Sequence, residues 1–414
     1  MKITLPKRVR YIIDSLEAAG YEAYAVGGCV RDSILGKAPS DWDICTIALP
    51  EECKKVFAGH KILETGIRHG TITLILEHIP YEITTYRTEN GYSDRRRPDS
   101  VNFVKSLSED LKRRDFTVNA MAYNSRRGLV DEFCGCEDLE KKVIRCVGNP
   151  DERFAEDALR IMRAIRFAAA LGFELDSDTD KAVQSQKMLL KSIAAERINT
   201  EFTKTLISGN PELLYKYKEV ISVFLDEAQN IDRLTVNAVS LIPHDCTLRL
   251  AVLMTGIYRN YDNAAEKIRN SLIKLKYDKK TVKRVSDIVI CSKSALPDSL
   301  RECRLLAGNF GLDTVYDMAC VGMAFARAAG DRPSIENLSA FIGLLDEISL
   351  KKLCIDISGL NINGKILMTA GIKDGASMGQ LLKELLAAVI DGRVENKRKA
   401  LLEYAKTIYG VTDK

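Results

Sequence analysis

At 414 residues the chain exceeds what one compact core accommodates, roughly 250–300 residues, so more than one domain is expected. With 46% hydrophobic and 29% charged residues it has an ordinary globular composition, and a net charge of +4 is too small to name a partner, so any nucleic-acid surface has to be a local patch. The opening segment holds no signal-peptide-like apolar stretch and no later run is long enough to span a bilayer, which argues against a membrane protein and makes the cytoplasm the expected compartment.

Residues 1–148 alternate short apolar runs with turn signals and concentrate the β-branched residues: "YEAYAV", "DWDICTIA", "GTITLILE", "YEITTYR", "SVNFV". This pattern predicts a mixed α/β part. In "GGCVRDSILGKAPSDWDICT" the pair Gly27-Gly28 leads from an apolar run into "CVRDSIL", a predicted short helix whose first amides and Arg31 are placed to hold phosphates. Asp41 and Asp43, at i and i+2 of a predicted strand, share one face while Trp42 and Ile44 take the other. Two like charges so placed repel unless a cation lies between them, and hard oxygen ligands suit Mg²⁺, which completes its shell with water and phosphate oxygens. A turn followed by a strand with a polar edge explains the same residues.

In "YEITTYR", Glu82 falls on the face of Thr84 and Tyr86 and offers a third carboxylate for a two-metal site; a solvated strand face is the alternative. "TENGYSDRRRPDS" (Thr88 to Ser100) joins two strands and reads as a mobile loop, with Arg95, Arg96 and Arg97 either functional or merely solvated. Lys112, Arg113 and Arg114 precede the apolar "DFTVNA"; such cations fit triphosphate binding, and an exposed basic turn fits as well. Of eleven cysteines only Cys134, Cys136 and Cys146 cluster, without CxxC spacing or a nearby histidine, so reduced, packed thiols are expected rather than zinc.

After "VGNPDERF" the period becomes helical and stays so through "AEDALRIMRAIRFAAALGF", "AERINTEFTKTLISG", "LRLAVLMTGIY", "QLLKELLAAVIDG" and "ENKRKALLEYAKTIYG". In "EDALRIMRAIRF", Ala158, Ile161, Met162, Ile165 and Ala169 form a core stripe that leaves Asp157 and Arg160 adjacent at i, i+3 on another side. A surface ion pair is the plain reading. The same two groups also suit recognition of cytosine and adenine: a carboxylate accepts from the exocyclic amine and a guanidinium donates to the ring acceptors, a pattern that G and U reverse.

"PHDC" pairs His244 with Asp245, but no further histidines stand near as a metal-dependent HD phosphohydrolase would need, so a helix start is expected. "SLIKLKYDKKTVKRV" and "ENKRKALLEYAKTIYG" are basic enough to meet RNA phosphates, or are simply soluble helix faces. Breaks at Asn149-Pro150, Gly209-Asn210-Pro211 and "AAGDRPS" divide the chain into 1–148, 149–210, 211–328 and 329–414, and no repeat or low-complexity tract occurs.

Gly-Gly-x-Val-Arg-Asp, then Asp-x-Asp, "RRDFTVNAMAYN" and "RFAEDALRIMRAIRFAAALGF", in that order from about residue 20 to 210, resemble class II tRNA nucleotidyltransferases, the CCA-adding enzymes and their bacterial poly(A) polymerase relatives. More weakly, "GLNINGKILMTAGIKDGASMGQLLKELL" resembles the tail of the Gram-positive type. The resemblance implies an α+β chain: a nucleotidyltransferase head with a polymerase-β-like mixed sheet, then an all-α half of base-selecting neck, body and tRNA-binding tail. It implies that Asp41 and Asp43 hold the metal ions, that Gly28 and Arg31 contact the nucleotide, and that Arg114 contacts its phosphates; Glu82, read from its strand face, is the expected third catalytic carboxylate and Mg²⁺ the expected ion.

By the same resemblance Asp157 and Arg160 serve as an amino-acid template, and Arg163 and Arg166 match the motif. Three-residue steps drift ~60° around a helix, so Arg166 faces nearly opposite Asp157. The implied activity is template-independent addition of C, C and A to the tRNA acceptor arm from CTP and ATP. The alternatives are poly(A) polymerase, or addition of CC or A alone. Poly(A) polymerases carry a basic Gly-Arg/Lys-Arg/Lys-Phe stretch where this chain reads "RHGTITL", and members adding only CC are shorter in the 88–100 loop; both features favour full CCA addition.

Overall fold

The computed structural model describes residues 2–90, 100–372 and 378–409 and separates into two compact units, residues 1–229 and 230–414. The first opens with α1 (Lys7–Ala18), whose Val9, Ile12, Ile13 and Leu16 recur at helical spacing and are buried. Then come β1 (Ala23–Val26), α2 (Gly28–Ile34), β2 (Asp43–Thr46), α3 (Pro50–Val56), β3 (Lys61–Leu63), β4 (Thr71–Leu76), β5 (Ile79–Thr85), β6 (Arg87–Asn90), β7 (Ser100–Phe103), α4 (Leu107–Lys112), β8 (Ala122–Asn124), β9 (Gly128–Val130) and α5 (Gly135–Lys141).

Seven strands form one mixed sheet in the order β3-β4-β5-β2-β1-β8-β9, with β2 and β5 parallel and the other neighbours antiparallel. Strand alternation sets the two faces. Tyr24, Val26, Cys45 and Ala122 point to one side, where Tyr86 and the α4 residues Leu107 and Leu111 complete a buried cluster, and α1 packs on the sheet through β1 and β2. β6 and β7 pair as a separate antiparallel arm, Arg87 opposite Phe103 and Asn90 opposite Ser100. The triplet Arg95-Arg96-Arg97, between them in sequence, lies outside the described residues.

The expected change to helix follows β10 (Val143–Ile144): α6 (Pro150–Glu156), α7 (Leu159–Leu171), β11 (Glu174–Leu175), α8 (Ser177–Gln186), α9 (Ala195–Leu206), α10 (Glu212–Lys216) and α11 (Lys218–Ile221). The α+β reading holds: a mixed sheet with helices first, helices afterwards. Unit two consists, among the described residues, of α12 (Arg233–Ser240), α13 (Cys246–Tyr258), α14 (Ala264–Lys274), α15 (Lys279–Cys291), α16 (Leu300–Phe310), α17 (Leu312–Ala329), α18 (Arg332–Leu350), α19 (Gly364–Thr369), α20 (Met378–Ile390) and α21 (Arg398–Tyr409), with one short 3₁₀ turn.

Asp245 of "PHDC" is the N-cap of α13, its side chain accepting the Leu248 N–H at 2.7 Å, so the dipeptide is a helix start. A small core of Leu360, Ile362, Leu367, Leu381, Leu385 and Leu401 closes the C-terminal part. Arg304 fastens it, its buried guanidinium donating to the carbonyls of Cys354, Val389 and Ile390. No described helix is long and apolar enough to cross a membrane.

Candidate active site

The carboxylates gather at the start of β2. The strand begins at Asp43, two residues later than the expected strand through "DWDIC", so Asp41 and Asp43 do not share a strand face: Asp41 approaches from the preceding loop and is exposed. The parallel register Ile44↔Ile83 and Cys45↔Thr84 sets Glu82 beside Asp43, and alternation turns both toward the α4 side of the sheet. Burial first, then the charges of Glu82 and Asp41, push the Asp43 carboxyl up to about 6, while Arg114 pulls it down. Asp43 still reaches solvent at the end of its strand.

This mutual repulsion is what a bound cation relieves, so the donor set fits a hard divalent ion. Among the described residues no three His, Cys, Asp or Glu side chains form a ready-made metal cage. A cation here completes its shell from water and ligand oxygens, as Mg²⁺ commonly does. Cys134 is exposed, Cys136 partly covered and Cys146 buried, all three as free thiols.

Beside the carboxylates, Gly27 turns the chain from β1 into α2 with φ 83°, a left-handed backbone that suits glycine, and its N–H donates to the Met121 carbonyl at 3.0 Å. A Cβ at Gly27 would come 3.2 Å from Arg114 Nη1. Arg114 thus lies over the glycine turn, near enough to Asp43 to shift it, with its Nη2 on Asp110 Oδ2 at 3.1 Å. Gly28 opens α2, where a Cβ would sit 3.6 Å from the Arg31 guanidinium. Arg31 is buried: Nη1 donates to Asn119 Oδ1 at 2.6 Å, Nε to Asp32 at 2.8 Å, and its guanidinium lies 5.3 Å from the Phe167 ring centre.

The helix expected to run unbroken through "EDALRIMRAIRF" is interrupted. α6 stops at Glu156, Asp157 is extended (φ −132°, ψ 102°), and α7 starts at Leu159. The Asp157 side chain accepts the Leu159 N–H at 3.1 Å, capping α7 rather than riding on it. Asp157 and Arg160 are therefore not an i, i+3 ion pair: Asp157 takes the Arg197 fork at 2.9 and 3.3 Å, and Arg160 donates to Glu156 at 2.6 Å and to the carbonyls of Arg153 and Arg113 at 3.2 and 3.1 Å. Both still lie at the start of α7.

Arg163 grips Asp115 at 2.5 and 2.8 Å; Asp115 also accepts the Asn119 amide, so a chain of contacts runs Arg31, Asn119, Asp115, Arg163. Arg166, three residues further along α7, meets Glu201 of α9 at 2.5 Å, the carboxylate that Arg163 approaches at 4.0 Å, and lies 3.8 Å over Phe167. The structure thus joins Asp41, Asp43, Glu82, Gly28 and Arg114 around the strand ends, and Asp157, Arg160, Arg163 and Arg166 along α7, with Arg31 reaching Phe167 from the first group. Sequence reasoning missed Asp110, Asp115, Asn119, Phe167, Arg197 and Glu201. Three of these lie within or beside the "RRDFTVNA" motif, and Arg197 and Glu201 stand at i, i+4 on an amphipathic helix, a signal that was present.

Residues 23–145 match the poly A polymerase head domain, residues 172–217 an RNA- and SrmB-binding site of polymerase A, and residues 254–405 the tRNA nucleotidyltransferase domain 2 family. The chain is 38% identical over 414 residues to the CCA-adding enzyme of Limosilactobacillus reuteri, with 96% of each chain covered, and 37% identical over 400 residues to that of Pediococcus pentosaceus, with 95% of this chain and 96% of the relative covered. Its fold superposes on the crystal structure of the Bacillus stearothermophilus CCA-adding enzyme in complex with CTP with a TM-score of 0.79, 29% identity and 98% of both chains covered. The Thermotoga maritima CCA-adding enzyme complexed with tRNA, 22% identical, shares the fold at a TM-score of 0.68 over 98% of this chain and 96% of its own. The chain belongs to the CCA-adding tRNA nucleotidyltransferase family, whose head it shares with poly(A) polymerases.

Proposed function

We propose that this protein adds C, C and A to tRNA 3′ ends from CTP and ATP without a nucleic-acid template, releasing pyrophosphate. The observation that carries it is the pairing of Asp43, Glu82 and Asp41 under an arginine and a glycine turn with a second cluster of carboxylates and arginines at the start of α7. The tRNA 3′ oxygen attacks the α-phosphorus, and the bond from that phosphorus to the pyrophosphate oxygen breaks. Asp41 and Asp43 are the residues to hold Mg²⁺ ions, with Glu82 beside them. Metal ions held there would supply a lower pKa for the attacking hydroxyl and neutralisation of the leaving pyrophosphate. Arg114 holds the phosphates, and Gly28 and Arg31 shape the turn that receives them.

Base choice falls to Asp157 and Arg160, supported by Arg163 and Arg166. Asp157 keeps lone pairs beyond those given to Arg197 and Leu159, which can accept an N4 or N6 amine, and Arg160 donates to the ring acceptors. G or U would set donor against donor there, a loss of several kcal/mol in a buried site. We assign 1–148 to the head, 149–210 to the neck, and 211–328 and 329–414 to a body and tail that bind tRNA. The match of residues 254–405 to the tRNA nucleotidyltransferase domain favours this reading over poly(A) synthesis. The test is single-nucleotide incubation with a tRNA ending at its discriminator base: CTP alone should give two additions, and ATP, GTP or UTP alone almost none. Extension with GTP or UTP at the rate of CTP would overturn the assignment.

A further inference from the structure

The machinery above leaves one fully buried carboxylate unexplained. Asp110, on α4, is inaccessible to solvent, and its carboxylate meets Arg114 of the candidate site, the neighbouring Arg113 and the arm beside them. Its Oδ1 accepts Arg113 Nε at 3.0 Å, Arg113 Nη2 at 2.7 Å and the backbone N–H of Arg87 at 3.3 Å, and its Oδ2 accepts Arg114 Nη2 at 3.1 Å. α4 ends at Lys112 with Arg113 still helical, so Arg113 and Arg114, at i+3 and i+4 from Asp110, fall on its face of the helix and both close onto its carboxylate. Arg114 is thereby laid over Gly27 and toward Asp43, with its Nε buried and without a protein acceptor among the described residues. Arg87 is the first residue of β6, so the same carboxylate also pins the root of the β6–β7 arm.

An ion cluster of this kind is a poor way to gain stability alone, because desolvation consumes most of the attraction, whereas it fixes geometry well. We infer that Asp110 is a positioning residue for nucleotide binding: it orients Arg114 toward the triphosphate and ties that orientation to the base of the β6–β7 arm. This rests on the reading of Arg114 as a phosphate ligand. The group recognised is the triphosphate, common to CTP and ATP, so base choice is untouched.

The test is a double-mutant cycle on the full chain with steady-state addition to tRNA. Asp110→Asn removes the charge and offers an amide donor where a donor already stands, so KM for CTP and for ATP should rise together, roughly tenfold or more, with the preference for CTP over UTP unchanged. Asp110→Asn on an Arg114→Ala background should raise KM no further, because its effect passes through Arg114. Should Asp110→Asn not fold, Asp110→Glu, which keeps the charge but displaces the carboxylate, enters the same cycle with the same expectation. An unchanged KM, or equal effects with and without Arg114, overturns the inference while an active wild type leaves the nucleotidyltransferase reading standing. A wild type that incorporates neither nucleotide removes both.

Discussion

Replacing Asp115 by Asn measures how strongly the head grips α7. Asp115 is buried and accepts Arg163 twice, the Asn119 amide and the Phe116 N–H at 2.9 Å. Burial alone would raise its carboxyl; Arg163 outweighs that and, with Arg160 and Asn119, holds it down to about 2, against an ordinary 3.8. That gap corresponds to about 2.4 kcal/mol of stability at neutral pH. Because the folded value is the lower one, the contribution is full above pH ~4 and fades as pH falls toward 2, to about 1.3 kcal/mol at pH 3. Loss of the carboxylate from a buried pair costs about 3–5 kcal/mol when its partner is stranded. Arg163 keeps Glu201 within 4.0 Å and some solvent access, so about 2–4 kcal/mol is expected.

The assay is urea unfolding followed by fluorescence of Trp42, the single tryptophan, which lies in the first unit and so reports on the structure that contains Asp115. The difference between wild type and Asp115→Asn should reach 2–4 kcal/mol at pH 7 and roughly halve at pH 3. A difference below about 0.5 kcal/mol at pH 7, or one independent of pH, would refute the electrostatic account of this contact.

Asp41→Ala and Asp43→Ala should each abolish nucleotide addition while changing tRNA affinity, read by filter binding, less than about threefold; near-normal addition would remove the metal assignment. Because the free Asp43 carboxyl titrates near 6, protons compete with the cation below that pH. Apparent metal affinity should therefore drop about tenfold per pH unit below 6, and raising Mg²⁺ should move the acid limb of the rate profile downward; a limb indifferent to Mg²⁺ speaks against it. Gly27→Ala forces a side chain into φ 83° and against Arg114, and should cost about 1–2 kcal/mol by the same fluorescence assay, with a higher KM for CTP. Arg160→Ala should relax nucleotide choice in a misincorporation assay; unchanged selection of CTP and ATP would discard the template role.

Most of the catalytic half was legible because its signals are local. The glycine pair before a short helix and the alternation around Glu82 each follow from one element, and the strand register then brought Asp43 and Glu82 together, while the i, i+2 spacing of Asp41 and Asp43 named the right residues although only Asp43 lies on the strand. The α7 region was legible in residue type and not in geometry. Helical periodicity in "EDALRIMRAIRF" concealed the break at Asp157, because Asp is tolerated inside a helix and also caps one, and here its side chain accepts both the Leu159 N–H and Arg197 from α9, a contact between elements that periodicity does not carry. Asp110, Asp115 and Glu201 escaped for the complementary reason: each is a carboxylate whose partner arginine was already noticed, and which carboxylate meets which arginine is fixed by packing between elements.

The central claim is tested most directly by incubating the purified protein with tRNA ending at its discriminator base, plus CTP, ATP and Mg²⁺, and sequencing the 3′ ends. The account predicts that the products end in CCA and stop there. A ladder of adenylates, or products halted at CC, would contradict it.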